Sequence, residues 1–367
     1  MRIQRLATTH FRNLEHEPIS FSPGVNLFVG HNGGGKSNIL EALSLFKIGR
    51  SFRTHRDTDL VNFSQPFCRI EVTVEKGDAS AETFSASIER DGTKRIHMDS
   101  KEVAKLSELV GLYPCVLFGP QDLELVSGGP AERRGFLDVT GSMTDRTYLE
   151  ELRGYRRVLG QRNSLLKSAK NSGSRGSREV WDEELVRRGC AVIEKRVALV
   201  DALFSHLERH VDALGAPYRI EWVYESDILG DVPEGVTPEE QFTARLADVR
   251  EEEIRRKTTL IGPHRDDLRI YLDGKDIRRF GSQGQRRLLA VLLRLTELSY
   301  VEERLDEPCV LLLDDLLSEL DHDASTKLRE LLENDHQIFV TSPVALEWGR
   351  GTSVPRTYRV ENGRVSV

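Results

Sequence analysis

An α/β fold organised around a phosphate-binding loop, with a helical domain inserted into it, is what the 367-residue sequence predicts. Short alternating apolar stretches fill the chain up to about Val116. A glycine-rich loop sits between an apolar run and an amphipathic one, and the middle of the chain turns to heptad-like apolar spacing.

The stretches Arg2 to Thr8, Ile19 to Phe21, Val25 to Val29, Arg69 to Glu75 and Thr83 to Glu89 read as strands. Asp91-Gly92 marks a hairpin turn into a partner at Arg95 to Met98. After Val25 to Val29 come Gly30, His31, Asn32, Gly33, Gly34, Gly35, Lys36 and Ser37, which fit G-x-x-x-x-G-K-[ST], and then the amphipathic helix Asn38 to Lys47. A strand, a glycine turn and a helix N-terminus aim backbone N–H groups and the positive end of a helix dipole at one point, which suits a polyphosphate. The pattern predicts ATP or GTP, with Lys36 on the β- and γ-phosphates and the Ser37 hydroxyl on Mg²⁺.

Past Pro120 the character changes. Tyr148, Leu152, Tyr155, Leu159 and Leu166 form a seam on a long helix, SAKNSGSRGS at Ser168 to Ser177 reads as a loop, and Trp181, Leu185, Val192, Leu199, Leu203 and Leu207 line a second helix from about Glu179 to His210. The pair predicts an antiparallel helical arm. Asp227 to Glu240 reads as a further loop, and Leu268 to Leu272, an Asp273-Gly274 turn and Asp276 to Arg279 as a second hairpin. No internal repeat is visible. The expected domains are a discontinuous head, 1–122 with 256–367, and a helical arm, 123–255.

Two further motifs complete a nucleotide site. VLLLDD at Val310 to Asp315 is a buried parallel strand ending in two acids. Asp314 fits the Mg²⁺ and Asp315 the attacking water, with capping of the next turn as the plainer alternative. FGSQGQRR at Phe280 to Arg287 leads into the helix Leu288 to Tyr300, so Ser282, Gly284 and the first helical N–H groups make a second anion-binding helix start. With one triphosphate loop and two phosphate-grasping loops, the second serves a nucleotide held by another subunit, which implies an ATP-dependent homodimer.

The net charge of -7 argues against coating nucleic acid by bulk attraction. DNA contact then falls to local patches: Lys47, Arg50, Arg53 and Arg56 after the loop helix, and Arg133, Arg134, Arg153, Arg156 and Arg157 on the arm, holding phosphates without reading sequence. No helix-turn-helix or zinc-finger pattern is present. Cys68, Cys115, Cys190 and Cys309 are scattered and read as buried thiols. His206 and His210 stand four apart, and a solvated helix face is the expectation there rather than a metal site. No apolar run approaches a membrane span and the N-terminus lacks a signal-peptide pattern, so the expected location is the cytoplasm.

The set GHNGGGKS, GSQGQ, LLLDD and SELD (Ser318 to Asp321) resembles the ABC-type ATPases of DNA maintenance. FRN at Phe11 to Asn13, GRSFRT at Gly49 to Thr54, RRGFLD at Arg133 to Asp138, QRN at Gln161 to Asn163, Trp181-Asp182 and GPHRDD at Gly262 to Asp267 narrow the resemblance to the RecF family. The resemblance implies an ABC-type ATPase head with an inserted helical arm. It implies an ATP- and Mg²⁺-dependent repair and replication-restart ATPase that dimerises around ATP, binds DNA at single-stranded gaps and duplex junctions, and works with RecR and RecO to load RecA in recombinational repair and SOS induction. It places Lys36 and Ser37 on phosphate and Mg²⁺, Asp314 on Mg²⁺, Asp315 as the hydrolytic carboxylate, Ser282, Gly284 and Gln285 on the partner's γ-phosphate, Arg12 and Asn13 beside the nucleotide, and Asp321 at the dimer seam. Gln121 stands where many relatives have Glu and looks like the Mg²⁺-contacting Gln of ABC ATPases. Thr341 or Ser342 occupies the region where transporter ATPases place a γ-phosphate-sensing His. Asp315 in place of Glu shortens the reach to water, so slow hydrolysis is expected, below the ~10 s⁻¹ typical of enzymes.

A transporter-driving ABC ATPase subunit is the alternative, disfavoured by the long insertion between Lys36 and Ser282. Chromosome-organising or hook-bearing relatives need far longer coiled coils, and the hook type a CxxC that this chain lacks.

Overall fold

The computed structural model describes residues 1–77, 80–168, 175–215, 218–230, 235–318, 320, 322–332, 336–346, 348 and 355–367. By internal packing the chain forms two units, Met1–Asp122 with His210–Ala216 and Arg287–Val367, and Leu123–Arg209 with Pro217–Arg286. Residues 256–286 thus group with the second unit.

The first unit opens with β1 (Arg2–Thr9), β2 (Ile19–Ser20) and β3 (Val25–Val29), then the loop helix α1 (Lys36–Ser44). It continues through β4 (Phe67–Glu75), β5 (Ala81–Glu89), β6 (Lys94–Met98), β7 (Lys101–Glu102) and β8 (Cys115–Phe118). An antiparallel sheet has the order β2-β1-β4-β5-β6-β7. Along β4, Cys68, Ile70, Val72 and Val74 are buried at every second position, as a sheet with one solvated face requires. In β1 the buried positions change phase from Ile3 to Leu6, because the register shifts between Ile3 and Arg5.

The second unit holds α2 (Leu123–Ser127), α3 (Pro130–Thr144), α4 (Arg146–Ser168), most of α5 (Arg175–Leu214), β9 (Ile220–Glu225), α6 (Pro238–Asp248), α7 (Arg250–Arg256), β10 (Asp267–Leu272), β11 (Lys275–Asp276) and α8 (Ile277–Phe280). The loop expected at Ser168 to Ser177 falls mainly outside the described residues, and its last part is already α5. On α4 the inward positions are Tyr148, Leu152, Tyr155, Val158, Arg162 and Leu166, so Leu159 moves to the margin and an arginine joins the seam. The expected second strand of the hairpin, Asp276 to Arg279, is corrected: β11 ends at Asp276, whose carboxylate caps α8 by accepting from the Arg278 N–H. His206 is buried rather than solvated.

Ion pairs organise this unit. Arg162 donates to Asp182 at 2.6 Å, to Glu253 at 2.7 Å and to the Thr259 hydroxyl at 2.9 Å. Arg196 reaches Asp138, the Tyr148 and Tyr224 hydroxyls and the Pro263 carbonyl. Arg133 makes a two-pronged pair with Asp267. The motifs QRN, Trp181-Asp182, RRGFLD and GPHRDD are therefore largely partners of one another.

Helix α9 (Gln283–Leu305) precedes the closing elements of the first unit, β12 (Val310–Leu313), α10 (His322–Leu332), β13 (Ile338–Ser342), β14 (Arg356–Glu361) and β15 (Arg364–Ser366). The second six-stranded sheet runs β15-β14-β3-β13-β12-β8, parallel except for β15. Its strands are nearly unbroken apolar text because both faces are covered. Within the same unit, α1 is buried on almost every side, with Ile39, Leu40, Ala42 and Leu43 in one core with Phe28, Val72, Phe84 and Phe339.

His264 supplies a pH test of the second unit. Its Nδ1 meets the Tyr155 hydroxyl at 2.6 Å, and burial pulls the imidazole from its ordinary 6.5 down to about 4. The folded state thus stays neutral where the unfolded chain takes up a proton, so stability is full above pH 6.5 and is lost as pH falls toward 4. We expect the urea midpoint of the natural protein to drop more between pH 7 and pH 5 than that of His264→Asn, compared in parallel titrations.

Candidate nucleotide and metal site

The phosphate loop is shaped by close backbone approaches. A Cβ on Gly30 would sit 2.1 Å from the Val360 carbonyl oxygen of β14, so only glycine fits. Gly35 has φ 113 and turns the chain into α1. The Gly363 N–H in the β14–β15 turn donates to the Gly34 carbonyl at 2.7 Å and braces the loop. His31, Asn32 and Gly33 form its exposed tip. Lys36 is 4% exposed and its Nζ donates to the Gly30 and His31 carbonyls at 2.8 and 3.1 Å. An ammonium has three protons, so one remains for an anion in the loop.

Sheet register brings the acids to this loop. Val29 aligns with Ser342, and Leu313 with both Val340 and Phe118, so β3 and β13 end together two residues beyond the paired ends of β12 and β8, and the residues that follow all four strands gather at one edge of the sheet. The Ser37 hydroxyl donates to Asp314 Oδ1 at 2.8 Å, and the Thr341 hydroxyl lies 2.8 Å from the same oxygen. Burial pushes the Asp314 carboxyl up, with Asp315 in the same direction, against the Ser37 and Thr341 hydrogen bonds and the charge of Arg53. Asp315 adopts φ 50, a left-handed conformation uncommon outside glycine, and its N–H donates to the Thr341 hydroxyl at 2.9 Å.

Oxygen donors of this kind suit a hard cation such as Mg²⁺. Among the described residues no group of three His, Cys, Asp or Glu could hold a metal, so any such ion draws on a mixed set of hydroxyl, carboxylate and amide. Gln121 lies in the turn Pro120–Asp122 directly after β8, whose Phe118 carbonyl accepts from the Asp314 N–H; its Nε2, a donor, is buried without a partner, and only its Oε1 has the chemistry to join that set.

Arg12 and Asn13 do flank the loop helix. Asn13 Oδ1 accepts from Asn38 Nδ2 at 2.7 Å, and Arg12 binds Glu41 through two nitrogens. In the second unit, Ser282 and Gln285 form a capping box at the start of α9: the Ser282 hydroxyl accepts the Gln285 N–H at 3.2 Å and the Gln285 side chain accepts the Ser282 N–H at 2.8 Å. First-turn N–H groups around Gly284 lack intrahelical acceptors and stay available to an anion. Asp321 lies outside the described residues.

Two of the expected DNA contacts are corrected. The Lys47 side chain is 8% exposed and its ammonium pairs with the buried Glu297 at 2.9 Å. The Arg133 side chain is 6% exposed on Asp267. Both are internal counter-ions. Arg134 is half-buried, donating to the Asp266 carbonyl, whereas Arg50, Arg53 and Arg56 are exposed. Sequence reasoning missed Glu41 and Ser51 altogether. The available signal was an acid four residues after Ser37 on a helix otherwise apolar at that depth.

Residues 2–365 match the family model described as RecF/RecN/SMC N terminal domain. The chain is 35% identical over 348 residues to the DNA replication and repair protein RecF of Chlorobium phaeobacteroides, covering 93% of this chain and 95% of that protein. The RecF of Ligilactobacillus salivarius is 34% identical, with 100% and 97% covered. The chain belongs to the RecF family. A solved structure described as the recombination mediator protein RecF-ATP in the RecFOR pathway superposes with TM-score 0.91 at 31% identity, covering 100% of this chain and 97% of that one. An Smc head bound to the C-winged helix domain of ScpA shares the fold at TM-score 0.55 and 14% identity. The RecF fold is thus an ABC-type ATPase head of the SMC kind. Among the described residues no helix is long and apolar enough to cross a membrane.

Gly30→Ala tests the loop geometry. Its methyl group cannot occupy the space of the Val360 carbonyl, so we expect binding of a fluorescent ATP analogue to weaken at least tenfold, by a rough estimate from the strain of overpacking, while the melting of the second unit is unchanged.

Proposed function

We propose that this chain is a DNA replication and repair ATPase that binds ATP and Mg²⁺ at the phosphate loop, dimerises around the nucleotide, and acts on gapped DNA. The observation that carries the reading is the Ser37 to Asp314 hydrogen bond across 277 residues, which sets a hydroxyl and a carboxylate side by side at the loop mouth. Full-length similarity to proteins named DNA replication and repair protein RecF supports the process. The relative described as RecF-ATP supports the nucleotide.

In this reading Lys36 and the loop N–H groups hold the phosphates, and Ser37, Asp314 and Gln121 hold Mg²⁺, which supplies charge neutralisation on the β- and γ-oxygens when bound. Asp315 accepts a proton from the attacking water. Its carboxylate is one methylene shorter than glutamate, so turnover is slow, stimulated by DNA, and serves as a switch. Ser282, Gly284 and Gln285 meet the γ-phosphate of the nucleotide on the other protomer. Arg50, Arg53 and Arg56, with Arg134, Arg153 and Arg157 on the arm, contact the DNA backbone. RecR and RecO are the partners, RecA loading and SOS induction the outcome, and the cytoplasm the site of action.

Sedimentation with ATP, Mg²⁺ and a gapped duplex tests this. The natural chain is expected to form dimers that retain DNA, and Lys36→Met and Ser282→Arg to remain monomeric under the same conditions. A natural chain that stays monomeric and ignores ATP and DNA would overturn the reading.

A further inference from the structure

Glu41 lies one helical turn beyond Ser37 on α1, and its side chain is fully buried. Its carboxylate accepts from Arg12 Nε at 2.9 Å and Nη2 at 2.7 Å, from the Ser51 hydroxyl at 2.6 Å, and from Arg53 Nη1 at 3.5 Å. The same Arg53 nitrogen donates to Asn38 Oδ1 at 2.6 Å, in the first turn of the loop helix. The Ser51 oxygen in turn accepts the Arg53 and Thr54 N–H groups at 2.9 and 3.3 Å, so the 51–54 turn is folded onto Glu41.

A buried carboxylate is costly without a counter-charge, and one two-pronged guanidinium satisfies it. Here there are two guanidiniums. Arg12 has the two-pronged geometry and a side chain 23% exposed, whereas Arg53 makes one long contact and is 43% exposed. Arg53 can therefore leave without stranding the Glu41 charge, and Arg12 cannot leave as cheaply. The bond to Asn38, the residue directly after Ser37, places the Arg53 guanidinium beside the first turn of the loop helix.

We propose that Glu41 is a positioning residue shared by two arginines: it fixes Arg12 against the phosphate-loop helix and parks Arg53, which transfers to a phosphate oxygen while Arg12 keeps the Glu41 charge compensated. This role deepens the nucleotide and DNA reading and rests on it for the source of the phosphate, a bound nucleotide or a DNA backbone. It explains why the FRN and GRSFRT segments, some forty residues apart in sequence, meet on one acid.

The test compares the natural chain with Arg53→Ala, Arg12→Ala, Glu41→Gln and the double variant Arg12→Ala/Glu41→Gln. Without Arg12, Arg53 becomes the sole counter-ion and is locked in place. Arg12→Ala should then weaken phosphate binding about as much as Arg53→Ala, roughly tenfold for one charge-assisted hydrogen bond, and adding Glu41→Gln should restore most of the loss. A fluorescent ATP analogue and a gapped duplex are titrated separately, and the probe that shows restoration identifies the phosphate. A double variant as weak as Arg12→Ala toward both probes overturns the proposal. Amide exchange without ligand is an independent readout. Exchange at Arg53 and Thr54 should be faster in Glu41→Gln and slower in Arg12→Ala than in the natural chain, and equal rates in all three overturn the proposal even if neither probe binds. Loss of probe binding by the natural chain itself, with the exchange pattern intact, would fault the functional reading instead.

Discussion

Everything at the candidate site depends on the register of four parallel strands, in which β3 and β13 run two residues past β12 and β8. Val29, Phe118, Leu313 and Val340 are the last or nearly the last ladder residues of β3, β8, β12 and β13, and the residues that follow them begin the phosphate loop, carry Gln121, supply both acids and supply Thr341. A one-residue slip in β12 would send Asp314 to the other face of the sheet. The register is held by unbroken apolar side chains on both faces, so the packing of the sheet and the geometry of the site are one constraint.

Both units also keep charge out of water. Glu41, Glu297 and Glu253 are each buried to within about one per cent, and each is held by at least one Arg or Lys. Removing one partner from such a pair costs on the order of 3–5 kcal/mol, whereas the intact pair adds little net stability over an apolar substitute. Such pairs serve geometry better than stability: Arg162 ties α4, α5 and α7 to Thr259, and Glu41 ties two distant segments to the phosphate-loop helix.

Much of this was legible in the sequence for physical reasons. Period-two alternation located β1, β4, β5 and β6 to within two residues, since each has one solvated face. The phosphate loop was legible because its glycines answer steric demands. Less visible were elements whose identity is decided by a local cap, such as α8 behind Asp276, and the strand β9, whose apolar residues are mixed with acids along its edge. Charged motifs were the most easily misread. Lys47 and Arg133 look like surface cations in a string of text and become counter-ions once Glu297 and Asp267 fold against them. Pairing across hundreds of residues has no local signature.

The central claim is that Ser37 and Asp314 jointly hold the divalent ion of a nucleotide. Electron spin resonance of Mn²⁺ bound with a non-hydrolysable ATP analogue tests it most directly. The account predicts a phosphorus hyperfine coupling in the natural protein and its loss in both Ser37→Ala and Asp314→Asn, with the fold intact. A phosphorus-coupled Mn²⁺ signal that survives both substitutions would contradict it.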